Sequence, residues 1–230
     1  MLNVNNEGIV IGDAKIIAHR AIGIERGRMD KVNGIIVHQT NTDNERAVFN
    51  SYRQPKANGA HFLIAKTGVI YQTASLLFAT NHVGRLKARC IVEKNCAPSE
   101  VKLLSSQDYE GIHKTEKSKA VPARFPSNTD SIGIEIVGRA VLPANKPLPL
   151  GLPQEKRERF INDHSIYETL TGAQQIALQY LVDELTQTLV IPKTEIHRHP
   201  DVSWLCCTNP KQAEITPTPD AATPRQRRAP

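Results

Sequence analysis

The sequence has no long apolar run. No stretch approaches the roughly 18 residues of a membrane-spanning helix, so no transmembrane segment is expected. Residues 1–11 lack the basic start and apolar centre of a secretory signal, and none is read there. Aromatic residues are scarce, 5% with a single Trp, which leaves little for a nucleic-acid surface of stacked rings. No basic helix is visible either, so nucleic acid is not an expected partner. Four cysteines in 230 residues are too few to frame the fold. Charge of one sign is in modest excess: 29 Lys and Arg against 23 Asp and Glu give +6.

Hydrophobic residues make up 40% and charged residues 23%, which suits a packed domain. The excess charge is uneven. Segment 85–130 has nine Lys/Arg against six Asp/Glu, and segment 216–230 has three Arg against one Asp. The rest of the chain is near neutral, so the charge says little about chemistry and suggests surface attraction to anionic polymers. Segment 216–230 carries four Pro and no large apolar residue, so it is expected to be a disordered Pro/Arg tail. Segment 85–130 reads as a long surface insertion with a short helix near 99–110. Cys90 and Cys96, inside it, form a small loop disulfide in an oxidising compartment or stay reduced in the cytoplasm.

Local patterns place the elements. Gly12-Asp13 suggests a hairpin within 9–18. Gly34 to Val37 is a β-branched run with the look of a buried strand. Thr42 to Asn44 supply capping residues ahead of a helix. Residues 60–65 and 69–72 read as a hairpin turning at Lys66-Thr67-Gly68. Ser131 to Val137 is another buried strand. Residues 143–153 hold four Pro and form a loop. Thr171 to Leu189 is the clearest helix: Thr171 and Gln174 match a capping box, and Ile176, Leu178, Leu181, Val182, Leu185 and Leu189 form an apolar stripe. Thr194 to Ile196 is a last short strand. Strands interleaved with helices indicate one α/β domain, a single mixed central β-sheet flanked by helices.

Three of the eight histidines, His38, His61 and His199, stand at strand ends or turns, where a side chain reaches a cleft from a fixed backbone. Two imidazoles, an anionic ligand and an open position make a catalytic Zn2+ site. Glu135 lies between Ile134 and Ile136, so it faces the opposite side of its strand. It is either on a solvated outer face or a cleft carboxylate able to move a proton.

The segments IIVHQTN (35–41), AHFLIAKTGVIYQ (60–72), NHVG (81–84), NTDSIGIEIVG (128–138), LTGAQQIALQYLVDEL (170–185) and EIHRHPDVS (195–203) resemble, in order, the zinc-dependent N-acetylmuramoyl-L-alanine amidases. This is the amidase-2 group, whose fold is shared by peptidoglycan recognition proteins and the phage T7-type lysozyme. The resemblance implies a domain over residues 30–215, with 85–130 inserted and 1–29 as an N-terminal lead-in. It implies a Zn2+ cofactor, with His38 and His199 as ligands, and His61 and His82 in the substrate cleft. Asn81 stands where the family more often has Trp. Glu135 matches the general base, which passes its proton to the leaving amine. The implied reaction is hydrolysis of the amide between the lactyl group of N-acetylmuramic acid and L-Ala of the stem peptide.

The pattern departs from the family after His199. Asp201 to Pro210 replaces a Lys-Thr-Asp-Pro-Gly type of segment, and the Lys that often stabilises the transition state there is absent. Cys207 is eight positions beyond His199 and Asn209 ten. A thiolate is a strong donor to zinc and a neutral amide a weak one, so Cys207 is the expected third ligand, ahead of Cys206, Asn209 and Glu214. The alternative function is a non-catalytic peptidoglycan- or muropeptide-binding module on the same fold. With no signal read, the chain is expected to be made in the cytoplasm and to act on the cell wall after non-classical delivery, as an endolysin or an effector. A delivered effector would have an immunity or delivery protein as partner. Cytoplasmic recycling of muropeptides is the other route.

Overall fold

The β-branched runs around Ile35 and Ile134 stand side by side at the centre of a six-stranded sheet. The computed structural model describes residues 1–204, apart from the side chains of Asn162 and Asp163. Within these residues the chain runs β1 (Ile16–Ala18), β2 (Glu25–Arg28), β3 (Gly34–Gln39), α1 (Glu45–Tyr52), β4 (Phe62–Ile64), β5 (Ile70–Gln72), β6 (Phe78–Thr80) and β7 (Arg85–Leu86). It continues through α2 (Arg89–Val92), α3 (Pro98–Ser105), α4 (Tyr109–Lys117), β8 (Ser131–Ile136), β9 (Ala140–Val141), α5 (Gln154–His164) and β10 (Ile166–Tyr167). Helix α6 (Gly172–Leu189), β11 (Ile196–Arg198), α7 (His199–Val202) and β12 (Ser203–Trp204) complete it.

The sheet order is β1-β5-β4-β8-β3-β11. Strands β4, β8, β3 and β11 are parallel, and β5 returns antiparallel to β4. Gly68 makes that return at φ +84°, and a Cβ there would stand 2.8 Å from the Ala173 carbonyl oxygen. Only glycine meets both demands without strain.

Side-chain alternation gives the sheet two faces. Ile35, Val37, Phe62, Ile64, Ile132, Ile134 and Ile136 pack beneath Ala177, Leu178, Leu181 and Leu185 of α6. The capping box of Thr171 and Gln174 starts that helix. Its buried stripe is narrower than the sequence suggests, since Ile176 is 73% exposed. The opposite face carries two separate clusters. Leu63 packs with Tyr52, Val48 and Ile24, whereas Ile36 packs with Val83, Leu86, Phe125 and Val202.

Several expectations change. Val4 bridges Val10 across a turn at residues 5–8, and residues 16–18 join β5 in parallel, so there is no hairpin at Gly12-Asp13. The N-terminal 29 residues are part of the packed unit, because Leu2, Val10, Ile16 and Ile24 enter its cores. Helix α5 was not legible as an amphipathic pattern; its residues are mostly polar and exposed.

Segment 85–130 is more than a surface embellishment. It folds into β7 and three helices, and β7 pairs with β12. The Arg89 guanidinium reaches Glu195, just before β11, at 2.8 and 3.0 Å in a buried pair. Three more of its cations pair within the segment: Lys119 with Glu100 and Glu116, Arg124 with Asp130, Arg85 with Glu110. Much of its positive charge therefore holds structure. Cys90 and Cys96 are joined in a disulfide that ties α2 to the approach to α3. The tail at 216–230 lies outside the described residues, and no described helix is long and apolar enough to cross a membrane.

Candidate metal and catalytic site

Register across the parallel strands builds a row of functional side chains. Leu63 of β4 is level with Glu135 of β8, and Glu135 is level with His38 of β3. Arg198 at the end of β11 is level with Val37, so the next residue, His199, stands beside His38. The His38 and His199 ring centroids are 4.4 Å apart. The row lies towards the carboxyl ends of four parallel strands, on the face that carries the two smaller clusters. Crevices at such strand ends are the usual ligand sites of α/β sheets.

The two rings are held in the same way. Nε2 of His199 meets Ser203 Oγ at 2.7 Å, and Nε2 of His38 meets Nδ1 of His82 at 3.1 Å. Among the described residues, Nδ1 of either ring has no hydrogen-bond partner. Burial, with the positive Lys87 nearby, pushes His199 down to about 4. Burial, then the neighbouring His199 and His82, holds His38 well below the imidazole range. Both rings are therefore neutral at pH 7, which is the form that ligates metals. Two neutral imidazoles, each with one nitrogen engaged and one free, fit a zinc ion as a donor pair.

The expected third ligand, Cys207, and its alternatives Cys206, Asn209 and Glu214 lie outside the described residues. Among the described residues, the one cluster of three ligand-type side chains is Cys90, Cys96 and Glu100. Its sulfurs are bonded to each other, which leaves no thiolate for a metal.

Glu135 does not sit on a solvated outer face. Burial raises its pKa, and the hydroxyl of Tyr52, at 2.7 Å from Oε2, opposes the rise. Tyr167, which feels the Glu135 charge, is pushed up to about 12, mainly by its own burial. A carboxylate with a raised pKa, beside a metal-type histidine pair, is equipped to accept and return a proton.

The other two candidate histidines are inward groups. His61 is fully buried, its Nε2–H donates to the Phe78 carbonyl at 2.9 Å, and its Nδ1 accepts the Gly133 N–H at 3.0 Å. Both ring nitrogens are used by the protein. His82 lies behind His38, with Nε2 at 3.2 Å from Ser131 Oγ. Burial, then His61 and His199, keeps it well below the imidazole range.

Sequence reasoning passed over Tyr52, Tyr167, Lys87 and Ser203. Lys87 Nζ donates to the Pro200 carbonyl at 2.5 Å and stands over the Trp204 ring. Burial lowers its pKa, and the Asp201 carboxylate opposes this. No motif pointed to it, because it approaches His199 from the insertion. Tyr52 also lines a cavity of about 280 Å³ with His19, Arg20, Ile22, Phe49 and Arg53.

Among solved structures, the fold is similar to the amidase LysC from Clostridium intestinale, at 18% identity over 85% of this chain and 89% of that one, with a TM-score of 0.44. It is similar to AmpD at 14% identity over 87% and 88%, with a TM-score of 0.48. The catalytic domain of XlyA matches at 18% identity over 84% and 88%, with a TM-score of 0.46. No curated protein matches the chain. The family model described as N-acetylmuramoyl-L-alanine amidase matches residues 28–216, and on that match, which spans most of the sequence, the chain belongs to the amidase-2 family.

Proposed function

We propose that this protein is a zinc-dependent peptidoglycan hydrolase that cuts the amide between the lactyl group of N-acetylmuramic acid and L-Ala of the stem peptide. The observation that carries this is the in-register row of Glu135, His38 and His199 at the carboxyl ends of β8, β3 and β11. His38 and His199 would hold the ion through Nδ1, with Cys207 completing the protein ligands. A zinc ion there supplies a Lewis acid that polarises the scissile carbonyl and makes water a nucleophile near neutral pH.

Glu135 takes the proton of the attacking water and returns it to the departing L-Ala nitrogen. Tyr52 holds Oε2, which leaves Oε1 for that exchange. Lys87, from the insertion, brings a positive charge next to His199, where negative charge grows on the carbonyl oxygen. This family-typical chemistry is assigned to residues 30–215 as one catalytic domain. The Cys90–Cys96 disulfide supports action outside the cytoplasm, since such bonds persist in oxidising compartments.

Mass spectrometry of sacculi and muropeptides after digestion tests the reading. The expected products are stem peptides with a free L-Ala amino group and intact glycan. Glu135→Gln and His199→Ala are expected to abolish turnover, and Glu135→Gln to keep stoichiometric zinc. Binding without cleavage by metal-loaded protein would favour a recognition module instead.

A further inference from the structure

The hydrogen bonds behind His38 form a series whose direction is set at its far end. The Ser127 carbonyl has no hydrogen to give, so Ser131 Oγ donates to it, at 2.6 Å. That uses the one hydroxyl hydrogen of Ser131. Towards His82 Nε2, at 3.2 Å, Ser131 is left only as acceptor, and His82 carries its hydrogen on Nε2. A neutral His82 with hydrogen on Nε2 has a bare Nδ1. That bare nitrogen can only accept, so the hydrogen between the two rings, at 3.1 Å, belongs to His38 Nε2. His38 then keeps its lone pair on Nδ1. His38, His82, Ser127 and Ser131 are all buried, so water does not compete for these bonds.

The chain around His82 keeps this series in place. A Cβ on Gly133 would come within 2.7 Å of His82 Cγ and 2.8 Å of its Nδ1, so only glycine lets the ring lie against the sheet. The Asn128 side chain accepts the backbone N–H groups of His82 and Val83 at 2.9 and 2.6 Å and donates to the Val83 carbonyl at 2.9 Å. Asn128, Ser131 and Gly133 all belong to the loop and strand that lead to Glu135.

We propose that Ser131 and His82 are positioning residues that lock the tautomer of His38, placing its hydrogen on Nε2 and offering Nδ1 to the metal ion. The proposal rests on the zinc reading of His38. Metal-ligating histidines commonly give their second N–H to a carbonyl or carboxylate directly. Here a backbone carbonyl acts through two neutral side chains. The Ser131 main chain also acts as an acceptor on the His82 ring. Without the Ser131 hydroxyl the acceptor fixed at Nε2 is lost, and His82 can carry its hydrogen on Nδ1. It then faces His38 with a donor and drives the His38 hydrogen onto the ligating nitrogen.

Two measurements test this. Long-range 1H–15N correlation spectra of the metal-free, 15N-histidine-labelled protein report each tautomer directly. His38 and His82 are both expected with hydrogen on Nε2, and Ser131→Ala is expected to mix the tautomers of both. Zinc affinity by chelator competition should fall about 10- to 100-fold in Ser131→Ala and His82→Ala. His82→Asn, whose amide oxygen stands close to the place of Nδ1, should recover most of it. Melting of the metal-free variants separates lost affinity from lost fold, and Ser131→Ala with the spectra decides the matter if His82→Ala does not fold. Hydrogen on Nδ1 of His82 in the wild type, or wild-type zinc affinity in folded Ser131→Ala, overturns the proposal. A wild type that binds no zinc but shows the expected tautomers sinks the zinc reading, not the lock.

Discussion

Tyr52 donates its hydroxyl hydrogen to Glu135 Oε2 at 2.7 Å and accepts the Ala60 N–H at 3.2 Å. One phenol thus links α1, the start of β4 and the proposed base on β8. Its bond favours the charged carboxylate and works against the burial that raises the Glu135 pKa. Tyr52→Phe removes that opposition, so the Glu135 pKa should climb further. The acidic limb of the pH–rate profile is expected to move to higher pH, with turnover lost mostly on the acid side. An unmoved limb would separate Tyr52 from the base.

Lys87→Met tests the charge beside His199. Loss of one preorganised group at a developing oxyanion typically costs about 10²-fold or more in kcat. The expected pattern is a fall in kcat with KM nearly kept, and partial recovery in Lys87→Arg. The backbone bond from Lys87 N–H to the Val202 carbonyl survives both changes, which limits structural damage. Equal kcat in Lys87→Met and wild type would remove Lys87 from the mechanism.

The Arg89–Glu195 pair ties the insertion to the strand that presents His199. Leaving one member of a buried pair alone costs about 3–5 kcal/mol, whereas replacing both with apolar residues is often near neutral. Arg89→Met should therefore lower the urea midpoint sharply, and Arg89→Met with Glu195→Met should recover much of the loss. Denaturation curves of the wild type, Arg89→Met, Glu195→Met and the double variant give the coupling directly. A single variant as stable as wild type would show that this pair does not support β11.

His61 makes stability depend on pH. Burial holds its folded pKa at about 4, below the 6.5 of an unperturbed histidine, while the Phe78 carbonyl opposes the shift. Between these values the unfolded chain binds the extra proton. Its contribution is thus complete above about pH 6.5 and is lost as pH falls through about 4, roughly 3 kcal/mol in all. Denaturant melts from pH 7 to pH 4 should show this slope together with those of buried His38, His82 and His199, and His61→Asn should make it shallower by the His61 share. Identical slopes in both proteins would contradict a neutral, buried His61.

Local rules made much of the framework readable in the sequence alone. The capping box of Thr171 and Gln174 marked α6, Gly68 marked the β4–β5 turn, and alternation turned Glu135 away from Ile134 and Ile136. These features depend on residues a few positions apart, through hydrogen bonds and periodicity that need no tertiary partner. The strand-end histidines were visible for the same reason. What only the folded chain decided was which group each one faces. His61, His82 and His38 look alike in sequence, yet one has both nitrogens spent in the core, one stands behind another ring, and one opens to the site. Tyr52 reaches Glu135 from 83 residues away, and Lys87 reaches Pro200 from 113. The insertion became a support for β11 through Arg89. Such pairings follow from strand order and register, which bring distant segments level across the sheet, and no short-range pattern encodes them.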